Sequence, residues 1–210
     1  MPHYVILLLF FLSSSALMAQ DERYFRKMLS GDLVKKADIA DGLPKFFVSA
    51  DPYLMDLNGD GIEERIIPQK RDGVDWLEIQ DSSHNVIFSA KLPSTGVHSH
   101  LFRIKMVALN SKVKTLILFL DEGYTHGGKF EAQGMIYLVS FENNDLTTLK
   151  LREGAKFFHE VHAQREQYYR RGYKVNVYDI DLDGDREIVV TYRHIQRIFK
   201  YAGHGDWKIM

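Results

Sequence analysis

From Tyr53 to its end the chain is a succession of aromatic and β-branched runs broken by Gly, Asn and Asp, the pattern of short strands joined by turns. Helix signals nearly vanish over this stretch. The runs also recur in order: "DLNGDGIEERII" leads to "DWLEIQD" and, across a polar turn, to "NVIFSAKL", while "DIDLDGDREIVV" leads likewise to "RIFKYAG" and "DWKIM". Between them "LFRIKMVALN" turns into "KTLILFL", and "GMIYLVSFENNDLTTLKL" makes a second hairpin with "ENND" at its turn. The pattern predicts three units, at about 52–92, 101–151 and 173–210, beginning near Tyr53, Leu101 and Tyr173. Four-stranded antiparallel units repeated in this way are the signature of propeller blades. The predicted fold is therefore all-β, with three four-stranded antiparallel propeller-like blades. A short N-terminal helix, Glu22 to Lys36, lies in a lead-in over 20–50.

Closed propellers usually have about four to eight blades. Three units leave several closures open: a three-bladed or open assembly, a barrel or sandwich, recruitment of "LPKFFVSA" as an extra strand, or pairing of open edges in an oligomer. A compact three-unit monomer is the expectation.

The opening "MPHYVILLLFFLSSSALMAQDE" has a short apolar core, Val5 to Leu12, then small and polar residues up to Ala19, which reads as a secretory signal peptide over 1–19. No later segment has the roughly 18 to 20 apolar residues of a membrane span, so no transmembrane segment is expected in the mature chain. The sequence has no Cys. An exported product would thus carry neither a disulfide nor a lipid-anchored Cys, and is expected free in a bacterial periplasm or secreted. A formal net charge of -1 without basic runs argues against nucleic acid as a partner.

Two stretches carry the most chemistry. Asp56 to Glu64 reads D-x-N-x-D-G-x-x-E and Asp179 to Glu187 reads D-x-D-x-D-G-x-x-E, each followed by an apolar strand. Like charges this crowded repel one another, so something positive is expected between them. Each motif falls between the first and second strand of its unit. In this the chain resembles the FG-GAP or VCBS-type repeats of integrin α-subunit propellers and of many secreted bacterial proteins, over roughly Pro52 to Met210. The resemblance implies a calcium site in each acidic turn.

The residues support calcium by themselves. Ca²⁺ is a hard cation that takes several oxygens at about 2.3 to 2.6 Å, and a tight loop with oxygens at alternate positions can wrap it. In the first loop Asp56, Asn58 and Asp60 offer side-chain oxygens, Gly61 permits the turn, Ile62 offers its carbonyl and Glu64 closes. In the second loop the same roles fall to Asp179, Asp181, Asp183, Gly184, the carbonyl of Asp185, and Glu187. Mg²⁺ fits less well, because it demands stricter octahedral geometry. The same residues also read as Asp/Asn-Gly hairpin turns with solvated acids. The middle unit is a built-in contrast: Met106, Ala108 and Asn110 stand at the ligand positions and Lys114 at the closing one, so no metal is expected there.

At the opposite end of the units the strand order places His98, His100, Tyr124, His126, His159 and His162, with His194, Phe157, Phe158, Tyr168 and Tyr169. Histidines and aromatics on loops of a rigid scaffold make a candidate ligand-binding face. His98 and His100 point the same way if extended, a spacing that suits a transition metal. "HEVH" lacks the H-E-x-x-H spacing of a zinc protease, and no nucleophile elbow, phosphate loop or thiol nucleophile is present. Asp121, Glu122 and Glu160 are candidate carboxylates for glycoside hydrolysis. "DEGYTHGG" reads as a flexible loop, and "EGAKFFHEVHAQREQYYRRGY" as a long insert that is a flap, a short helix or a plain insertion. The expected function is an exported, calcium-stabilised, non-catalytic β-propeller-like module that binds a protein or glycan ligand. The alternatives are a secreted hydrolase or lyase using the same face, and a structural envelope protein.

Overall fold

The computed structural model describes residues 53–94, 99–126, 129–162 and 168–210. The expected signal peptide over 1–19, the expected helix of Glu22 to Lys36, "LPKFFVSA" and His98 lie outside the described residues. Within them every regular element is a strand and no helix occurs.

The strands form three antiparallel meanders. The first sheet holds β1 (Tyr53–Met55), β2 (Glu64–Arg71), β3 (Val74–Gln80) and β4 (Val86–Leu92), in that order. The second holds β5 (His100–Ala108), β6 (Val113–His126), β7 (Lys129–Glu142), β8 (Asp145–His162) and β9 (Tyr168–Gly172). The third holds β10 (Lys174–Tyr178), β11 (Glu187–Tyr192), β12 (Ile195–Gly203) and β13 (Asp206–Ile209). Local chemistry fixes several hairpins. Asp72-Gly73, Asn143-Asn144 and His204-Gly205 all have both central residues at positive φ. That is the type I′ requirement, and its twist matches that of the flanking strands.

β6 shows how the sheets stack. Its run is almost continuously apolar because both faces are covered. Leu116, Leu118 and Leu120 join Leu57, Ile66, Leu77, Ile79 and Leu92 of the first sheet in one core. The intervening Ile117 and Phe119 join Ile188, Val190, Phe199 and Trp207 of the third sheet in another. The second sheet is thus the middle layer, with one outer sheet on each face. Truncating Leu118 or Ile117, both fully buried, to Ala costs about 2 to 5 kcal/mol.

Three expectations are corrected by this sheet. It has five strands, not four. "DEGYTH" is the end of β6 rather than a flexible loop, in register with Lys129 to Gly134 of β7. "EGAKFFHEVH" is neither flap nor helix but the far half of β8, and "YYRRG" is β9, paired to it from Phe158↔Gly172 to His162↔Tyr168. The long β8 is held to β7 through register shifts near Gly134 and Met135. At Gly154 a Cβ would stand 2.6 Å from Ile136 Cγ1 and 2.9 Å from its carbonyl oxygen, so the strands approach this closely only with glycine there.

Candidate metal centre

The loop after β1 and the loop after β10 repeat one hydrogen-bond frame. Gly61 N donates to Asp56 Oδ2 (3.0 Å) and Gly184 N to Asp179 Oδ2 (2.9 Å). Ile62 N donates to Asp60 Oδ1 (2.7 Å) and Asp185 N to Asp183 Oδ1 (2.9 Å). Leu57 N donates to Glu64 Oε2 (2.8 Å) and Ile180 N to Glu187 Oε2 (3.0 Å). Gly61 and Gly184 sit at φ 87° and 92°, as the turn requires. The closing glutamates start β2 and β11 and are 4 % and 0 % exposed.

The rest of each loop differs. In the first, Asp56 Oδ1 also accepts from Gly59 N (2.6 Å) and Asn58 Oδ1 from Asp60 N (2.9 Å), so the side chains cap the loop's own amides. In the second, Lys200 of β12 donates to Asp181 Oδ2 (2.6 Å) and Asp183 Oδ2 (2.5 Å), and lies 3.4 Å from Glu187 Oε1. Register explains this. Ile188 pairs with Phe199, which sets Glu187 beside Lys200; Arg65 pairs with Gln80, which sets Glu64 beside Asp81. The carboxylate of Asp81 instead takes Asn85 N (2.8 Å) and Asn85 Nδ2 (3.0 Å).

Electrostatics follow the same division. Burial lifts the Glu64 carboxyl above its usual range; the Leu57 amide opposes this, while Asp60 and Asp56 add to it. Hydrogen bonding to Lys200 holds Asp183 below the usual range, and the bonds to Asp181 and Asp183 raise Lys200 in turn. In the second loop Asp179, Asp181 and Glu187 bring oxygens within 4.8 Å of one another, the one such group among the described residues. Asp179 Oδ1 and Glu187 Oε1 are buried without a hydrogen-bond partner. Oxygens so placed fit a cation, and Ca²⁺ is held by such ligands. The Asp185 side chain is turned away, accepting from Asn110 Nδ2 (2.7 Å).

The turn between β5 and β6 touches both loops. Lys114 donates to the Leu57 carbonyl (3.0 Å) in the first, and Arg186 N in the second donates to the Leu109 carbonyl (2.9 Å). Asn110 caps its own turn through Lys112 N and Val113 N, both 2.8 Å. Met106 and Ala108 are ladder residues of β5, paired with Leu116 and Lys114.

Comparison with known protein families, curated proteins and solved structures found no match.

His194 lies in the turn between β11 and β12 of the third sheet, and the other described residues of the predicted histidine and aromatic face are distributed over the far half of the middle sheet. His100 opens β5, its Nδ1 3.7 Å from Asp121 Oδ1. Asp121 is 1 % exposed and neither of its oxygens accepts a hydrogen bond. Burial raises its carboxyl, against the lowering by His100. His159 Nε2 lies 3.3 Å from Glu131 Oε1 and its ring meets Tyr169 edge-on at 5.6 Å; the ring of His162 meets Tyr168 at 5.9 Å. An odd number of residues apart on a regular strand, His159 and His162 face opposite sides of the sheet. Tyr124 and His126 stand opposite Glu131 and Lys129 in the ladder. Phe157 packs with Phe102 and Phe119 (5.8 and 5.2 Å), and Glu122 accepts from Gln133 Nε2.

Sequence reasoning missed Lys200. Its signal was available: a lone lysine on the strand after an acidic motif, one residue past the partner of Ile188.

Proposed function

We propose that the chain is an exported, calcium-stabilised, propeller-like binding module without catalytic activity, in which three stacked sheets act as blades and present a protein or glycan ligand site away from the metal loops. The observation that carries the reading is the duplicated frame. Two loops distant in sequence share three equivalent side-chain-to-amide hydrogen bonds and a buried closing glutamate. Hairpin turns need no buried carboxylate, whereas a cation site does. Calcium would be held by Asp56, Asn58, Asp60, the Ile62 carbonyl and Glu64 in one loop. In the other it would be held by Asp179, Asp181, Asp183, the Asp185 carbonyl and Glu187. Its contribution is positive charge that ties each turn to the start of the next strand. Because both loops abut the same turn of the middle sheet, fixing them also fixes how the outer sheets meet it.

The test is a thermal melt of the mature chain in EDTA, in millimolar Ca²⁺ and in millimolar Mg²⁺, with Asp60→Ala and Asp183→Ala alongside. Calcium is expected to raise the midpoint by several degrees, magnesium to do less, and each variant to lose part of the gain. Coincident curves would remove the calcium reading.

A further inference from the structure

β9 and the turn between β11 and β12 bring arginines and tyrosines together across two sheets. The Arg171 guanidinium lies over the Tyr169 ring at 4.7 Å and reaches the Tyr192 ring at 5.8 Å. Arg193 lies over the same Tyr192 ring at 5.4 Å, and Tyr173 packs on Tyr192 at 5.2 Å. Two like charges are thus drawn to one ring. Arg193 is exposed, and exposed Lys174 lies opposite Thr191, the neighbour of Tyr192. Neither guanidinium hydrogen-bonds or ion-pairs with any described residue. The segments 168–178 and 188–200 contain no Asp or Glu at all. The acids of the third sheet are gathered at its other end, in the loop after β10 and at the starts of β11 and β13, Glu187 and Asp206.

A guanidinium stacked on a ring keeps its N–H edge free and fixed in plane, the geometry that grips a carboxylate with two hydrogen bonds. The rings hold the guanidiniums in place, so less side-chain entropy is lost on binding. Tyr169, 36 % exposed, lies on the same face of the edge strand as Arg171 and adds aromatic surface beside the guanidinium, whereas Tyr168 faces the other side of the sheet. Regularly spaced carboxylates on a chain of rigid rings match this combination of paired guanidiniums and partly exposed aromatic side chains. A flexible acidic peptide supplies the charge without the rings.

We infer that this Arg171–Tyr192–Arg193 surface binds a carboxylate-bearing polysaccharide, a polyuronate. The inference rests on the proposed binding function and names its ligand class. It is separate from the proposed calcium loops, one of which lies at the opposite end of the third sheet and the other in the first sheet.

The test is calorimetric titration of the mature chain, in calcium and again in EDTA, with hexagalacturonate, with its methyl ester, and with an oligoglutamate peptide. The methyl ester keeps the rings and removes the charges. Hexagalacturonate is expected to bind in both buffers, at least about ten-fold more tightly than the ester or the peptide. Arg171→Gln and Arg193→Gln are each expected to weaken it several-fold, and together to abolish it. Lys91→Gln, an exposed cation of the first sheet, should change nothing, and melts of all variants verify folding. Equal affinity for the ester would overturn the uronate inference while leaving glycan binding intact. Preference for the peptide would overturn it in favour of an acidic protein. Binding lost in EDTA, or unchanged by the arginine variants, would place the carboxylates elsewhere. No binding by any ligand, beside a normal calcium melt, would overturn the inference and spare the calcium reading.

Discussion

In the loop after β1 the acidic side chains are turned onto backbone amides; in the loop after β10 two of them are turned onto an ammonium. The two loops reach a similar charge by different routes. Asp56, Asp60 and Glu64 stand with the neutral Asn58, while Asp179, Asp181, Asp183 and Glu187 stand with Lys200. Where the second loop gains a carboxylate, at Asp181, the adjacent strand gains a lysine, and where the first has Asn58 the position just past the adjacent strand is Asp81. A motif match therefore does not make two equivalent sites. In the second an ammonium stands on the carboxylates that a metal would take, whereas in the first Lys114 stands on the Leu57 carbonyl instead.

Calcium itself should have the largest effect. A site at about 100 times its dissociation constant adds roughly 2.7 kcal/mol, and most of the gain is expected from the first loop. Asp60→Ala should therefore remove more of the calcium-dependent rise in Tm than Asp183→Ala. Equal losses would break the comparison.

Next come the closing glutamates, measured by urea unfolding in EDTA. Each variant to Ala leaves a backbone amide without its acceptor, at a cost of about 1 to 3 kcal/mol. Glu187→Ala should cost more than Glu64→Ala, because burial already disfavours the ionised form of Glu64. The reverse order would show that Lys200 does not depend on Glu187.

Lys200→Gln sharpens the contrast further. Without calcium it should lower Tm, since Asp181 and Asp183 then face each other unpaired. Calcium titration should show the second site tightened by about ten-fold, as a cation no longer competes with the ion. An unchanged calcium affinity would mean the ammonium and the metal do not share a site.

Acidification should act on the loops in opposite directions in EDTA. Glu64 has a folded pKa raised above its ordinary 4.5, so the native state holds that proton more firmly. Stability from this group falls as pH rises from about 4.5 through the raised value. Asp183 has a folded pKa lowered below its ordinary 3.8, so its contribution is present above 3.8 and is lost as pH falls through the lowered value. Tm against pH for Glu64→Gln and Asp183→Asn should flatten the profile above and below about pH 4 respectively. Matching profiles would contradict the assignment.

The smallest effect lies in the backbone. Gly59 sits at φ 86°, and its counterpart is Leu182 at φ 60°, which is 85 % exposed. Leu182→Gly should stabilise the chain by about 1 kcal/mol by relieving a left-handed non-glycine residue, read from the urea midpoint. A loss would mean that Leu182 makes a contact the first loop lacks.

Much of this was legible in the sequence. The turn residues and β-branched runs disclosed the strands, and the two acidic frames disclosed the paired loops with their glycines at positive φ. What went unread lay along β8 and β9. "EGAKFFHEVH" interrupts its apolar residues with Gly154, Lys156, His159 and Glu160, and its pairing to β7 passes through register shifts, so no regular alternation marks it as a strand. "YYRRG" has no turn signal of its own to mark a strand. "DEGYTH" looked like a loop because Asp121 and Glu122 are acids, yet both are buried in the ladder.

By itself the sequence determined which segments extend, where they turn and which oxygens could meet a cation, because those depend on residues within a few positions of one another. Only the tertiary structure decided what stands beside them. Strand pairing set Lys200 against one acidic loop and Asp81 near the other, and the meeting of two sheets brought Arg171 to the Tyr192 ring. These contacts join residues of different strands or sheets. Their charge and geometry come from register and stacking, which no local stretch of sequence encodes.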